Sequence, residues 1–418
     1  LTEAAATAPA VRRGGVFAHR DYALYWWASL LMTVAAQMQA VGIAWQVYDL
    51  TSDPLYLGLV GLAEFLPAVA FGLIAGHCAD RFDRRLVGLC ALGLELACAA
   101  LLLGLAAGGV GRVWPFLAVA FGFGIARTFL RPAAGAMLPM LIPAELLPRG
   151  IAWSSAGWQM ATIGGPALGG AVFALGAAWV YAATLLVLAA AFLLSLLIRP
   201  RGAPAAGQRL SWASIAGGVR MIRQSPILLG AISLDLFAVL FGGATALLPV
   251  YARDILAVGP EGLGLLRSAP AAGAVVVGLL LARRPLGRGV GLWLFGCVAL
   301  FGAATIVFGL STWLWLSLAA LAVLGGADMV SVFIRSTLVP LATPPALLGR
   351  VMAVEQIFIG ASNELGAAES GFAAALIGTV PTVVLGGTAT LVVVALWWTL
   401  FPALRQVDRL DHRLETPA

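Results

Sequence analysis

The 418-residue chain contains no lysine; all 25 of its basic residues are arginine. Charged residues of both signs together make up only 11% of it, where a soluble domain carries about 25%. Hydrophobic residues make up 61%, and the mean hydropathy is +0.98. This shortage of charge excludes a soluble globular protein. Cysteine is equally sparse. Cys78, Cys90, Cys98 and Cys297 have no metal-ligand spacing and lie in or beside apolar runs, so they read as packing residues. The three histidines, His19, His77 and His412, are scattered. No Gly-rich phosphate loop and no catalytic triad occurs. The sequence therefore points to no enzyme, no cofactor and no metal. A net charge of +6 would suit a nucleic-acid partner if the arginines clustered. They lie instead in loops between apolar segments, where they report membrane orientation, and no nucleic acid is expected.

What is present is a series of twelve apolar segments, each long enough to cross a bilayer core of about 30 Å as a helix. Spans 1 to 6 are expected at 23–48, 55–79, 86–107, 113–138, 150–174 and 177–198. Spans 7 to 12 are expected at 227–251, 262–282, 289–310, 313–340, 349–376 and 380–402. The longest polar stretch, 199–225, holds Pro200, Gly202, Pro204, Gly207 and five arginines, and it divides the chain near its middle. Within it, 211–224 reads as a short amphipathic helix on the inner surface, with Trp212, Ile215, Val219 and Ile222 on one side. The expected organisation is an N-terminal segment 1–22, a six-helix half 23–198, the linker 199–225, a second half 226–403 and a tail 404–418. No cleavable signal peptide is expected ahead of span 1.

With the N-terminus placed inside, nineteen arginines fall in inner segments and two, Arg112 and Arg253, in outer loops. Four more lie inside spans. Both termini are therefore expected in the cytoplasm. An internal repeat supports the division into halves. Pro143-Ala-Glu-Leu-Leu-Pro-Arg-Gly-Ile-Ala152 parallels Pro344-Pro-Ala-Leu-Leu-Gly-Arg-Val-Met-Ala353, and Val47-Tyr48 parallels Val250-Tyr251.

The loop between spans 2 and 3 has internal order. It reads Gly76-His-Cys-Ala-Asp80-Arg81-Phe-Asp83-Arg84-Arg85. Gly76 permits close helix approach, Asp80 suits a neighbouring helix N-terminus, and the arginines hold the turn on the inner side. This segment resembles the Gly-x-x-x-Asp-Arg-x-x-Arg-Arg signature of the major facilitator superfamily, with Asp83 in place of the commoner glycine. Its Asp-Arg-Phe-Asp-Arg-Arg form is similar to the drug:proton antiporter family of twelve-helix exporters that includes the enterobactin exporter. The resemblance extends through Ala44–Thr51, Phe65-Leu66-Pro67, Leu248–Asp254 and Gly349–Val354. It implies an all-α membrane protein of two pseudo-symmetric six-helix halves, the major facilitator fold. It also implies that Gly76, Asp80, Arg81, Arg84 and Arg85 form a gating latch between the halves.

Span 5 carries Gly165-Pro166-Ala-Leu-Gly169-Gly170. By itself this predicts a kinked helix with a close packing face. It also resembles the core of the superfamily's antiporter motif, which marks exporters.

Charges inside spans are costly unless paired or wetted, and so point to function. The candidate proton or substrate site comprises Glu64, Arg127, Arg131, Asp235, Asp328, Arg335 and Glu364, with Gln37 in span 1. Arg127 and Arg131 are four apart and share a helix face, as do Asp328 and Arg335 at seven. Arg131-Pro-Ala-Ala-Gly135 resembles a span-4 element linked to proton transfer in the superfamily, whose spans 1, 4, 7 and 10 line the cavity. Glu64, Asp328 and Glu364 lie nearest the span middles and are the preferred proton carriers. Arg267, Glu355 and Glu369 are also noted, whereas Glu95 is left out because span 3 is expected to pack outside the core. The competing reading is that these charges are structural ion pairs between the halves. Gln39, Gln46, Trp45, Trp153 and Trp158 offer polar and aromatic surface to a solute, while Trp26 and Trp27 read as interfacial anchors.

The function expected is a monomeric, multi-pass transporter of the cytoplasmic membrane. Its partners are the lipid bilayer, a small amphipathic solute (drug-like or a siderophore) and protons, with solute exported in exchange for protons by alternating access. A facilitator or importer on the same fold, or a non-transporting membrane sensor, are the alternatives.

Overall fold

The computed structural model describes residues 15–199, 212–284, 286–345 and 347–409. Among them twelve long helices occupy the places of the twelve expected spans. Spans 1 to 6 are Arg20–Thr51, Pro54–Arg81, Arg84–Ala107, Trp114–Met137, Leu147–Phe173 and Ala177–Leu197. Spans 8 to 12 are Gly259–Arg283, Val290–Leu310, Leu314–Leu341, Leu348–Ile377 and Thr379–Leu400. Ten of the twelve are long and apolar enough to cross a membrane. The other two, spans 5 and 11, carry the glycine motif and the acids Glu355, Glu364 and Glu369.

Local chemistry sets the helix starts. Asp53 accepts a hydrogen bond from the Leu55 amide at 2.9 Å, and Pro54 fills the first helical position, where no N–H is needed. Ser225 and Pro226 repeat the device for span 7. Asp83, which stands where the family signature has glycine, caps span 3 by accepting from the Arg85 amide at 2.9 Å.

Span 7 departs from the single helix expected. It runs α-helical over Pro226–Phe241 and breaks at Gly242-Gly243. It continues through a 3₁₀ turn at Ala244–Leu247 and ends in a π-helical turn at Tyr251–Ile255. At the break, Gly243 lies against the Gly366 carbonyl and the Ser370 hydroxyl of span 11, where a side chain would have no room. The linker helix is Trp212–Gln224. It packs more deeply than a surface helix. Ile222 is buried among Leu228, Ile232, Val339, Val351 and Val354, and Gly218 lies against the Arg350 carbonyl. The side chains of Trp212 and Ile215 lie outside the described residues.

Spans 1–6 pack on one another, as do spans 7–12, and the two groups meet along span 2 against span 11 and span 5 against span 8. The contacts are concentrated at the end remote from the termini, hereafter the far end. There a Cβ on Gly58 would stand 2.9 Å from the Ala368 carbonyl, and Gly371 meets Gly58 in return. Gly170 and Gly264 bring spans 5 and 8 together in the same way. Such backbone approach is how helices associate where lipid offers no hydrophobic drive. Toward the end bearing the termini the helices separate. Gly72, Gly76 and Gly360 have nothing among the described residues within 4 Å of where a side chain would begin. Gly76 therefore makes no close helix contact with the described residues in this conformation, contrary to expectation: the two halves have parted at that end.

Candidate functional site

One charged cluster lies near the middle of the bundle, a second lies nearer the end that bears the termini, and a clasp closes the far end. The first cluster is built by spans 2 and 4. A Cβ on Gly124 would stand 2.9 Å from Pro67 and would run into the Glu64 carbonyl, so the two helices touch through their backbones. Arg127 follows Gly124 by three residues and Glu64 precedes Pro67 by three, which places both on the contact faces. Arg127 Nη1 donates to Glu64 Oε2 at 2.6 Å, and its Nε lies 3.9 Å from Glu95 Oε1. Glu95, set aside from the sequence because of its span, is only 4% exposed. Span 3 does pack on the periphery, but a glutamate is long enough to reach inward from it. Glu364 of span 11 is close enough to feel the charges of Glu64, Arg127 and Arg131, and Arg267 of span 8 those of Glu64 and Arg127. Arg131, on the same helix face as Arg127, is exposed.

The second cluster lies inside the second half. Arg335 Nη2 stands 2.7 Å from Asp235 Oδ1, and its Nη1 3.9 Å from Glu355 Oε1. Asp328 interacts electrostatically with Arg335 and Asp235. It therefore groups with this set rather than with Glu64 and Glu364. Two carboxylates thus lie within 4 Å of one guanidinium, and a third acts on it electrostatically. Both close pairs, Arg127–Glu64 and Arg335–Asp235, join helices of the same half. They are not the inter-half pairs that the structural reading of the sequence allowed for.

Because Arg335 and Asp235 are both almost fully buried, removing one partner strands a charge. Arg335→Met is expected to cost about 3–5 kcal/mol of stability. The thermal unfolding midpoint of purified protein in detergent checks this. An unchanged midpoint would show that the cluster carries no structural burden.

Ionic contacts between the halves occur at the far end. The Tyr48 hydroxyl donates to the Asp254 carboxylate. Arg253 Nη1 donates to the Tyr48 carbonyl at 3.0 Å and lies 3.6 Å from Asp49. Its guanidinium sits 5.4 Å from the centre of the Tyr48 ring. The π-helical turn, which brings the Leu256 amide onto the Tyr251 carbonyl, carries Arg253 and Asp254 to this position. In the sequence these residues stand out only as part of the stretches Ala44–Thr51 and Leu248–Asp254 that carry the family resemblance. The available signal was adjacent opposite charges at the end of span 7, one of them among the few outer arginines. Tyr251, the repeat partner of Tyr48, instead donates to the Gly309 carbonyl within its own half.

Span 5 runs as one continuous helix through Pro166. A Cβ on Gly165 would meet the Gln37 side chain at 2.6 Å, and one on Gly169 the Met38 backbone at 2.7 Å, so both seat span 5 on span 1. Gly170 instead faces span 8 of the other half. In the loop between spans 2 and 3, Arg85 Nη2 donates to the Leu196 carbonyl at 2.5 Å and Arg84 approaches Met140 at 3.9 Å. Both ties stay within the first half. Arg81 is exposed, and the side chain of Asp80 lies outside the described residues. Trp26 is buried and donates to the Trp153 carbonyl at 2.7 Å, a packing role rather than an interfacial one. Gln39 Nε2 and Gln46 Oε1 are buried without a hydrogen-bond partner. Cys98 and Cys297 are buried as expected, but Cys90 is exposed on the helix surface.

Two six-helix bundles joined by a linker, in contact at one end and parted at the other over buried charges, define a transporter of the major facilitator superfamily. Solved structures share the fold at low sequence identity. A bacterial homologue of the human lysosomal transporter Spinster, in an inward-facing and unoccupied conformation, superposes with a TM-score of 0.72 at 14% identity, covering 96% of this chain and 99% of its own. The nucleoside transporter NupG gives 0.67 at 15%, covering 91% and 99%. Within the superfamily the chain belongs to the family described as transmembrane secretion effectors, whose model matches residues 15–417. It is 21% identical over 397 residues to macrolide efflux protein A of Streptococcus pyogenes, covering 92% of this chain and 96% of that protein. It is 24% identical over 278 residues to the uncharacterized MFS-type transporter YfiS of Bacillus subtilis, covering 63% and 62%. These are transporters, not enzymes.

Proposed function

We propose that the protein exports small amphipathic solutes, drug-like compounds or a siderophore, from the cytoplasm in exchange for protons. The observation that carries this reading is the asymmetry of the bundle. The halves are clasped at the far end and parted at the other, with the Glu64–Arg127 cluster between them and Glu364 and Arg267 reaching it from the second half. Alternating access needs such an arrangement: a central site open to one side, and a closure that exchanges ends. The arginine distribution supports a cytoplasmic location for the termini and the open end, in a cell whose inner membrane holds the chain. The conformation is then inward-facing, awaiting solute, and the chain works as a monomer. The similarity to a macrolide efflux protein favours export over import, and supports drug-like solutes over siderophores.

A deletion strain is expected to be more sensitive to at least one member of a drug panel, or to secrete less of its own siderophore. Re-expression should reverse the change. If instead the strain accumulates less of a test solute than wild type, transport runs inward. If no flux is found in vesicles either, the protein is not a transporter in function.

On this reading Asp80, Arg81, Arg84 and Arg85 latch the cytoplasmic end only when it closes. The free state of Gly76 in the open form fits that role. Asp80→Asn removes an anion suited to the N-terminus of span 11 near Gly349–Val351, where a helix end favours negative charge by about 0.3–1 kcal/mol. Transport is expected to fall several-fold with membrane insertion unchanged. Wild-type flux from a well-inserted variant would count against the latch.

A further inference from the structure

Arg267 is left unused by the ion pairs described above. It lies in span 8, three residues beyond Gly264, the residue that seats span 8 against Pro166, Ala167 and Gly170 of the first half. Residues three apart share a helix face, so Arg267 also faces the first half, one turn nearer the middle than the far-end closure. There it feels Glu64 and Arg127. Yet it makes no hydrogen bond or ion pair with any described residue, and its Nη1 is shut away from solvent with no acceptor. The residue as a whole is not fully buried. Glu64, the acid nearest in effect, is already bonded to Arg127 at 2.6 Å.

An arginine inside a membrane protein is expensive, and is ordinarily paired or placed on a substrate pathway. A planar guanidinium with open donors is also the side chain best matched to a carboxylate or similar oxyanion. We infer that Arg267 receives an acidic group of the transported solute, so that the substrates include amphipathic compounds bearing a carboxylate or an equivalent oxyanion. Arg127, on a helix of the first half, is close enough to add its positive charge to that of Arg267. Glu64 and Glu95 both lie within 4 Å of Arg127, and neither bonds to Arg267, whose Nη1 has no acceptor. The inference rests on the proposal that the cavity is a solute site.

The experiment uses the full chain in lipid nanodiscs with two fluorescent probes of one shape, dansylglycine and its uncharged amide. Wild type is expected to bind the carboxylate about tenfold more tightly than the amide, the effect of one good charge-assisted contact. Arg267→Gln should bring the two probes level, while Arg267→Lys keeps part of the preference. Without probe, Arg267→Gln should unfold at the same temperature as wild type or higher, because it removes an unpaired charge that no neighbour satisfies. Equal binding of the two probes by wild type overturns the inference, as does a preference that survives Arg267→Gln. A clear fall in the unfolding midpoint of Arg267→Gln would also overturn it, making the arginine structural. Flux of both probes through wild-type proteoliposomes separates the two proposals. If the amide is carried as fast as the acid, Arg267 loses its role and the transporter stands. If neither moves and neither binds, both fall.

Discussion

Gly170→Leu is expected to abolish transport while leaving the protein inserted and folded. Gly170 lies against the Pro260 carbonyl, and a Cβ there would stand 3.0 Å from the Gly264 Cα. Its neighbours are backbone atoms of a helix in the other half, not side-chain ends that could swing away. A leucine would drive spans 5 and 8 apart at the far end, where the halves must meet in the observed conformation. Overpacking a well-fitted position costs about 1–3 kcal/mol even where side chains can adjust. Here the strain falls wholly on the far-end-closed state and leaves the far-end-open state untouched. A bias of about 3 kcal/mol is more than a hundredfold in population, and flux through the cycle should fall by about that factor. Two comparisons sharpen the test. Gly169→Leu strikes the Met38 backbone within the first half, so it should harm folding as well as transport. Gly164→Ala meets nothing within 4 Å and should transport normally. Undiminished flux from well-inserted Gly170→Leu would mean that the span-5 motif is idle.

Span positions were legible in the sequence because bilayer thickness fixes the length of an apolar run, and every expected span appears with its ends moved by only a few residues. The break in span 7 was not foreseen, since Gly242 and Gly243 sit in an apolar run that looks continuous to hydropathy. What decides the break is the fit of Gly243 against Gly366, a tertiary fact. Charged residues were legible as a set, but their grouping was not. Asp328 and Glu64 looked equivalent by depth, yet they belong to different clusters because depth says nothing of which helix lies alongside. Glu95 was discarded on the position of its span, although its own burial cost was the better guide. The far-end clasp of Tyr48, Arg253 and Asp254 was hidden inside motifs that identified the family.

Coupling to protons is expected to run through Glu64, Asp328 or Glu364. Adding a proton to Glu64 would turn its charge-assisted bond to Arg127 at 2.6 Å into a weaker one. Glu364 comes from span 11 of the other half and acts on the same arginine, so a proton on either acid alters how the halves hold each other across the cavity. Asp328 is in electrostatic contact with Arg335, a group already shared by Asp235 and Glu355. A proton there would relieve a surplus of negative charge. At least one of Glu64→Gln, Asp328→Asn and Glu364→Gln is therefore expected to lose gradient-driven accumulation while still exchanging solute down its own gradient. The scale follows from the driving force. One pH unit stores about 1.4 kcal/mol per proton, which supports about tenfold accumulation of an uncharged solute if one proton returns for each molecule exported. Proteoliposomes with a one-unit gradient should show that ratio for wild type and about onefold for the critical variant, with counterflow exchange preserved in both. If wild type ignores the gradient, or if all three amide variants accumulate solute as wild type does, these acids serve structure or solute binding. The energy for export must then come from another source.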